Sequence, residues 1–492
     1  MSTELAFRSA TELARLIATR ELSPVELMKA CIARIEERNP SLNALVHTDL
    51  EHARSAAVAA EKAVMAGEEI GPLHGVPTAI KDLFSTRAGW VATFGGIPAL
   101  KNFVADQSSL WVERMEAAGA VILGSTNSPV LGFRGVCDNA LFGPTCNPFD
   151  MTRNSGGSSG GGAAAVADGL VPFAEGTDAG GSIRIPAAWT NLVGHKPSAG
   201  RVPLVMRPDA FGGTAPFIHE GAMTRTVEDT VTTLRILVGA DHRDPFSVDE
   251  RPGFADVLGG DVRGMRIAYS PGLGVHQVEP VVADAVGQTV RSLEEAGAFV
   301  ALVDPEIRYD QTELSDLWCR CVARMVLPII ENFRERGLDL VELDQIPAPL
   351  LRWLDHVADE RLPAQSRDSV MRTHVFDAIQ HVLTDHDLLV CPTVGALPVV
   401  NGPRGETLGP ARVDGVAVDP SIGWTLTYLL NFTGHPACSV PAGLVDGLPV
   451  GMQIIGRRFA DGDVLRAAAA VERHRPWASW YPARRGGSGR GA

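Results

Sequence analysis

An α/β fold, a sheet with helices on both faces, is predicted by three features of this 492-residue chain. Short apolar runs bounded by Gly, Pro and Asn recur from Gly71 onward, at Val76–Ile80, Val121–Leu123 and Leu170–Ala174, and read as buried strands. Segments of helical character, Ser108–Ala118 and Gly161–Ala167, lie between them. Strand-like segments return near the end, at Leu388–Val390 and Val440–Ile455. Such alternation belongs to sheets buried between helical layers.

The opening segment, 1–70, reads as helices. Leu13, Leu16 and Ile17 recur at helical spacing. Ser23-Pro24-Val25-Glu26 is a capping box with proline at the first helical position. The helix it opens carries Val25, Leu27, Met28, Cys31, Ile32 and Ile35 and is expected to stop near Pro40. A third, alanine-rich helix spans about His52 to Met65. These are packing elements expected against the sheet. Residues 201–420 look less regular, with Trp318, Trp353 and proline-rich turns, and are the expected source of pocket walls. The tail 484–492, rich in Gly, Arg and Ser, is expected to be disordered. Length alone allows roughly three domains of about 150 residues. No repeat or linker divides the chain, however, so the reading is a helical segment 1–70 packed on one core, 71–483.

Composition narrows the function. The net charge of −14 disfavours a nucleic-acid or anionic-membrane partner. No apolar run approaches the roughly 18 residues that span a bilayer. Met1-Ser2-Thr3-Glu4-Leu5 lacks the basic and apolar regions of a secretory signal. Seven cysteines are too few and too odd for a disulfide framework, so they are read as small buried hydrophobes. Cys319 and Cys321 have no second pair and no His-Glu-x-x-His occurs, so no metal site is expected. The expected location is cytoplasmic.

Two loops carry the chemistry. Gly156-Gly157-Ser158-Ser159-Gly160-Gly161 and Asp178-Ala179-Gly180-Gly181-Ser182-Ile183-Arg184 each set a serine among glycines, where backbone can approach a ligand closely. Around Ser182, consecutive backbone N–H groups can converge into an oxyanion hole. A serine nucleophile needs a base. No histidine stands in a recognisable triad motif, and Lys81, ending the run Thr78-Ala79-Ile80-Lys81-Asp82, is the better candidate. To act as a base it must be neutral, so its pKa must fall from about 10.4. The plain alternative is a lysine paired with Asp82 at a strand end. Ser158, upstream of Ser182, is a candidate proton shuttle between lysine and nucleophile. Gly156-x-Ser158-x-Gly160 also matches a nucleophile elbow, but that motif needs a strand immediately before it, and Asn147-Pro148-Phe149-Asp150 and Arg153-Asn154 are turn formers. A phosphate cradle is disfavoured because no Gly-Lys-Ser/Thr ends the loop.

From Leu22-Ser23-Pro24 to about Leu465 the chain resembles the amidase signature enzymes, serine hydrolases with a Ser-cisSer-Lys triad. The strongest matches are Gly71-Pro72-Leu73-His74-Gly75-Val76-Pro77 leading to Lys81-Asp82, then Asn147-Pro148 and the two serine loops. Gly194-His195-Lys196-Pro197, Arg225-Thr226-Val227-Glu228-Asp229, Cys391-Pro392-Thr393, Gly434-His435-Pro436-Ala437 and Gly447-Leu448-Pro449-Val450-Gly451-Met452-Gln453 follow in order. The resemblance implies a single large domain built on a mixed sheet sandwiched between helices. It implies Ser182 as acyl-forming nucleophile, Ser158 as bridging serine behind a cis Gly157–Ser158 peptide, and Lys81 as base. The N–H groups of Ala179, Gly180, Gly181 and Ser182 would form the oxyanion hole, with Asp178 and Arg184 bracing the loop.

Two departures bear on specificity. Ala179 stands where the family often has threonine, and Val130 where many members place a carboxylate. The latter predicts an apolar acyl pocket near Gly132 and Phe133. Phe211, Phe217, Leu317, Trp318, Met325 and Trp424 are further apolar candidates for its walls. The expected function is hydrolysis of a small-molecule amide, aryl or otherwise apolar, with carbamates and esters open to the same chemistry. No cofactor is needed, and a homodimer is left open. The alternatives are the glutaminase subunit of a tRNA-dependent amidotransferase and a catalytically silent scaffold.

Overall fold

A single sheet runs through the computed structural model, which describes residues 3–212, 217–251, 254 and 256–482. In chain order the strands are β1 (Leu45–Thr48), β2 (Pro77–Lys81), β3 (Val121–Thr126), β4 (Cys146–Asn147), β5 (Asp150–Asn154), β6 (Phe173–Asp178), β7 (Val193–Lys196), β8 (His219–Thr224), β9 (Arg266–Tyr269), β10 (Phe299–Leu302), β11 (Leu388–Pro392), β12 (Arg412–Val413), β13 (Val416–Ala417), β14 (Ala437–Val445) and β15 (Leu448–Gly456). Eleven of them form the sheet, in the order β1-β3-β2-β6-β8-β7-β14-β15-β11-β9-β10. The pairs β4–β5 and β12–β13 stand outside it. β2 runs parallel to β3 and β6, whereas β8 is antiparallel to β6 and β7, so the sheet is mixed, as expected.

Alternate residues of one strand enter different cores, which is what a sheet between two helical layers requires. In β11, Leu388 and Val390 pack with Ile267, Met452 and Ile454, while Leu389 and Cys391 pack with Leu317, Trp189 and Trp424. A third cluster joins Met28, Ile32 and Ile35 to Val121, Leu123 and the alanines of the helix Gly160–Ala167.

Several expected elements shift. Ser23 caps the helix Pro24–Leu42, its Oγ accepting from the N–H groups of Val25 and Glu26 at 3.1 and 3.2 Å. That helix continues past Pro40 to Leu42, because the proline falls in its last turn and Asn43, in the left-handed region, ends it. The alanine-rich helix is Leu50–Ala66. The segment 1–70 is not all helical: Leu45–Thr48 forms β1, a sheet edge antiparallel to β3 and too short to show an alternation in sequence. The run at Leu170–Ala174 begins its strand only at Phe173 and carries it through Glu175-Gly176-Thr177-Asp178. The region read as irregular holds long helices, Gln311–Glu335 and Leu362–Asp385. Pro328 inside the first obscures its helical pattern. Val440–Ile455 is two strands, β14 and β15, joined by Asp446-Gly447 with φ of 50° and 80°, a type I′ hairpin turn. The tail 484–492 lies outside the described residues.

Candidate active site

The neighbouring strands β2, β6 and β8 bring their chemistry-bearing residues together. Lys81 ends β2, fully buried. Its Nζ donates to Ser158 Oγ at 2.7 Å and to Thr177 Oγ1, on β6, at 2.9 Å. Burial pushes the amine down to about 8, against the pull of the Glu175 carboxyl. Asp82, the alternative partner, turns away and accepts from the Thr93 N–H at 2.7 Å.

Ser158 follows a cis Gly157–Ser158 peptide. Its loop is packed too tightly for side chains: a Cβ on Gly157 would lie 2.6 Å from the Val136 carbonyl carbon. Gly132 borders the serine, a Cβ there falling 3.3 Å from Ser158 Oγ. The sequence argument against an elbow is corrected in one respect, since strand β5 does precede the loop. It belongs to the separate two-strand hairpin, whereas Ser182 follows β6 of the main sheet and precedes the helix Arg184–Trp189.

The Ser182 loop is braced from within and from afar. Arg184 donates to Asp178 through Nη2 at 2.8 Å and Nε at 2.9 Å, both residues fully buried. Burial alone would raise the Asp178 carboxyl, but Arg184 holds it well below the usual range. Arg184 also donates to the Thr427 carbonyl at 2.9 Å, Gln453 Oε1 at 2.6 Å and Asn431 Oδ1 at 2.8 Å. Thr427 Oγ1 donates to the Gly180 carbonyl at 2.6 Å, and Trp318 Nε1 to that of Ala179 at 3.0 Å. The Ser159 N–H donates to the Ser182 carbonyl at 3.2 Å and seats one serine loop on the other.

One of the four N–H groups expected around Ser182 has another acceptor in this structure. The Gly181 N–H donates to Asp178 Oδ1 at 2.7 Å, so it is already engaged. Among the described residues the N–H groups of Ala179, Gly180 and Ser182 have no partner. Gly181 lies at φ +123°, a conformation that favours glycine.

An aromatic wall stands beside these loops. Trp318 and Phe133 each pack edge-on against Trp353, with ring centroids 5.9 Å apart. Other wall candidates pair with different rings, and Phe217, Leu317, Met325 and Trp424 share the core cluster of Phe133 and Trp318. Trp424 stacks on Trp189 at 4.7 Å in the core, Phe217 is buried against Phe432, and Phe211 is exposed against Phe246. Among the described residues no group of three or more His, Cys, Asp or Glu is placed to hold a metal ion. No described helix is long and apolar enough to cross a membrane. All seven cysteines are free thiols.

Sequence reasoning missed Glu175, Ser85 and Glu220. Glu175 Oε2 accepts from the Lys81 N–H at 2.5 Å, and its Oε1 from Ser85 Oγ at 2.6 Å. The available signal was an acid at position 175 inside an otherwise apolar run.

The mixed sheet thus delivers a buried lysine to one serine, and a second serine loop is seated on the first. The Amidase family model matches residues 26–465. An acylamidase of Rhodococcus erythropolis is 37% identical over 97% of this chain and 98% of its own length. The crystal structure of a bacterial aryl acylamidase of the amidase signature family superposes with a TM-score of 0.96 at 46% identity, covering 98% of this chain and 99% of that one. A glutamyl-tRNA(Gln) amidotransferase subunit from Chloroflexus aurantiacus is 34% identical over 98% of this chain and 99% of its own. The chain belongs to the amidase signature family and is an amidohydrolase acting on carbon–nitrogen amide bonds.

Proposed function

We propose that this amidohydrolase cleaves an aryl or otherwise apolar amide through an acyl ester on Ser182, with Ser158 and Lys81 as its proton relay. The observation that carries the reading is the 2.7 Å contact between Ser158 Oγ and a fully buried Lys81 Nζ. With the amine neutral, that contact runs the other way and accepts the Ser158 proton. Ser182 Oγ then attacks the carbonyl carbon while its own proton passes to Ser158. The N–H groups of Ala179, Gly180 and Ser182 are the donors for the oxyanion, each worth on the order of 3 kcal/mol in such sites. As the C–N bond breaks, the Lys81 proton returns through Ser158 to the leaving nitrogen. Water, deprotonated by the same relay, hydrolyses the ester and releases the acid.

An apolar acyl or aryl group is supported by the Phe133, Trp318 and Trp353 wall beside Gly132, and by likeness to an aryl acylamidase. The test is intact mass after brief exposure to a simple anilide and, separately, a fluorophosphonate. An adduct on Ser182 that is absent in Ser182→Ala and slow to form in Ser158→Ala supports the relay. An adduct on Ser158 that survives Ser182→Ala overturns it. Glutamine hydrolysis exceeding anilide turnover would favour the amidotransferase reading, and no adduct in any form would favour the scaffold.

A further inference from the structure

Behind Lys81 lies a buried acidic cluster that the relay does not use. Glu175 on β6 is fully buried and Glu220 on β8 is 4% exposed, with the Ser85 hydroxyl between them. Ser85 Oγ stands 2.6 Å from Glu175 Oε1 and 3.3 Å from Glu220 Oε1. A hydroxyl has one hydrogen. The short contact takes it and has the length of a bond to an ionised oxygen. Glu220 is left facing a lone pair of Ser85, a contact favourable only when Glu220 carries a proton. The other oxygen of Glu175 accepts from the Lys81 N–H, so both of its oxygens are acceptors.

Building on the proposed relay, we infer that Glu175 is a positioning residue whose carboxylate is the fixed counter-charge of Lys81, while Glu220 stays protonated and holds Ser85 in the donating orientation. Each time Lys81 takes up the relayed proton it becomes an ammonium in a buried site, where an unpaired charge is costly. Glu175 sits on the paired strand β6, bonded to the Lys81 backbone N–H rather than to Nζ, and from there its charge favours that form.

The other groups around the cluster fit this distribution. Lys81 comes from β2, Asp178 from the far end of β6 and Arg114 from the helix Leu110–Ala117. Asp178, though matched by Arg184, and the buried Cys137 thiol act on the lysine in the same direction as Glu175, each more weakly. Arg243, which lines a cavity of about 320 Å³ together with Glu220 and Phe84, is taken up by Asp241 and Glu113. Burial raises both acids, but at Glu175 the Lys81 N–H and Ser85 oppose the effect, whereas at Glu220 the Glu175 charge adds to it, so the proton resides on Glu220.

The experiment is the pH dependence of the rate of fluorophosphonate labelling, followed by intact mass, which needs no knowledge of the natural substrate. The probe reacts by forming an O–P bond to Ser182 and expelling fluoride, and the serine proton goes through Ser158 to Lys81. In Glu175→Gln the ammonium loses its counter-charge, so the acid limb is expected to move at least one pH unit lower and the plateau rate to fall at least tenfold. Glu175→Asp, which keeps the charge, holds the limb near its original position. Glu220→Gln replaces a protonated carboxyl with an amide donor and leaves limb and plateau within twofold. Ser85→Ala removes a donor to Glu175 and moves the limb in the same direction as Glu175→Gln, which decides the matter if Glu175→Gln does not fold. An unmoved limb in both Glu175→Gln and Ser85→Ala overturns the inference, as does a Glu220→Gln shift equal to that of Glu175→Gln. Lys81→Ala and Ser182→Ala run in parallel: if both label at the original rate the relay itself fails, whereas if both are silent only the role of Glu175 is in question.

Discussion

Arg184 commits its guanidinium to four partners at once, and none of them is solvent. Replacing it with methionine would leave the buried Asp178 carboxylate without its guanidinium partner, held only by the Gly181 and Ile183 N–H groups and Asn431. Breaking such a pair costs about 3–5 kcal/mol, so denaturant unfolding of Arg184→Met should show a loss of that order. At Gly180 the expected effect is local instead. A Cβ there would meet Trp318 Nε1 at 2.4 Å, so Gly180→Ala must push the indole off the Ala179 carbonyl. Activity should fall more than tenfold with a melting temperature changed by only a few degrees, measured by turnover and thermal scan on one preparation. Lys81 was legible in the sequence because a lone lysine ending an apolar run is rare and costly to bury. Glu220 was not, since nothing in one dimension says that β8 lies beside β6, or that Ser85 reaches both acids.

The helix Gly160–Ala167 shows how an element can be seated by what it lacks. Its first turn is glycine on every side because backbone and loops crowd it differently at each position. A Cβ on Gly161 would lie 2.3 Å from the Asn127 N and 2.5 Å from the Ala44 carbonyl oxygen, neither of which can yield. A Cβ on Gly162 meets the end of the Met223 side chain at 3.0 Å, which can, and the Glu175 carbonyl oxygen at 3.1 Å, a tight contact but well short of the overlap at Gly161. Gly161→Ala is therefore expected to destabilise by about 1–3 kcal/mol through overpacking. In Gly162→Ala the gain of about 1 kcal/mol in helix propensity offsets the adjustment of the methionine. Paired urea titrations distinguish the two, and equal effects would refute the packing argument. Elements with a strong local signal, such as the Ser23 cap, were readable from sequence. Those whose identity depends on a partner, such as edge strand β1, were not, although the Asp446-Gly447 turn between β14 and β15 is a local hairpin signal.

Over the whole molecule, buried carboxylates act as clamps between distant segments. Asp461, at the start of the helix Asp461–His474, accepts from the Ser198 N–H at 2.8 Å and Ser198 Oγ at 2.7 Å, and pairs with Arg201 and His195. Burial would raise its carboxyl, but the His195 and Ser198 contacts hold it well below the usual range, as Arg184 does for Asp178. A depressed carboxylate contributes its full stability above the unfolded value of about 3.9 and loses it as pH falls below that. The expected result is a stability difference between the original protein and Asp461→Asn that is large at pH 7 and shrinks progressively below about pH 4, read by calorimetry at both ends. The overall architecture was legible because strand and helix segments alternate along most of the chain. The order of the eleven strands was not, since antiparallel β8, β7 and β14 enter the middle of the sheet from widely separated stretches of sequence.

The far tethers of the Ser182 loop have a consequence for synthesis. A ribosome that has translated as far as Pro420 has already joined Lys81, Ser158 and Ser182 into the chain, yet Thr427, Asn431 and Gln453, which grip that loop through Arg184, Asp178 and Gly180, have not been made. The nascent chain thus carries its full chemical complement in an unassembled form, and reactivity at Ser182 switches on only as the last strands dock. Stalled ribosomes displaying the chain only to Pro420 should leave the serine blind to a fluorophosphonate, and those displaying it beyond Gly456 should not.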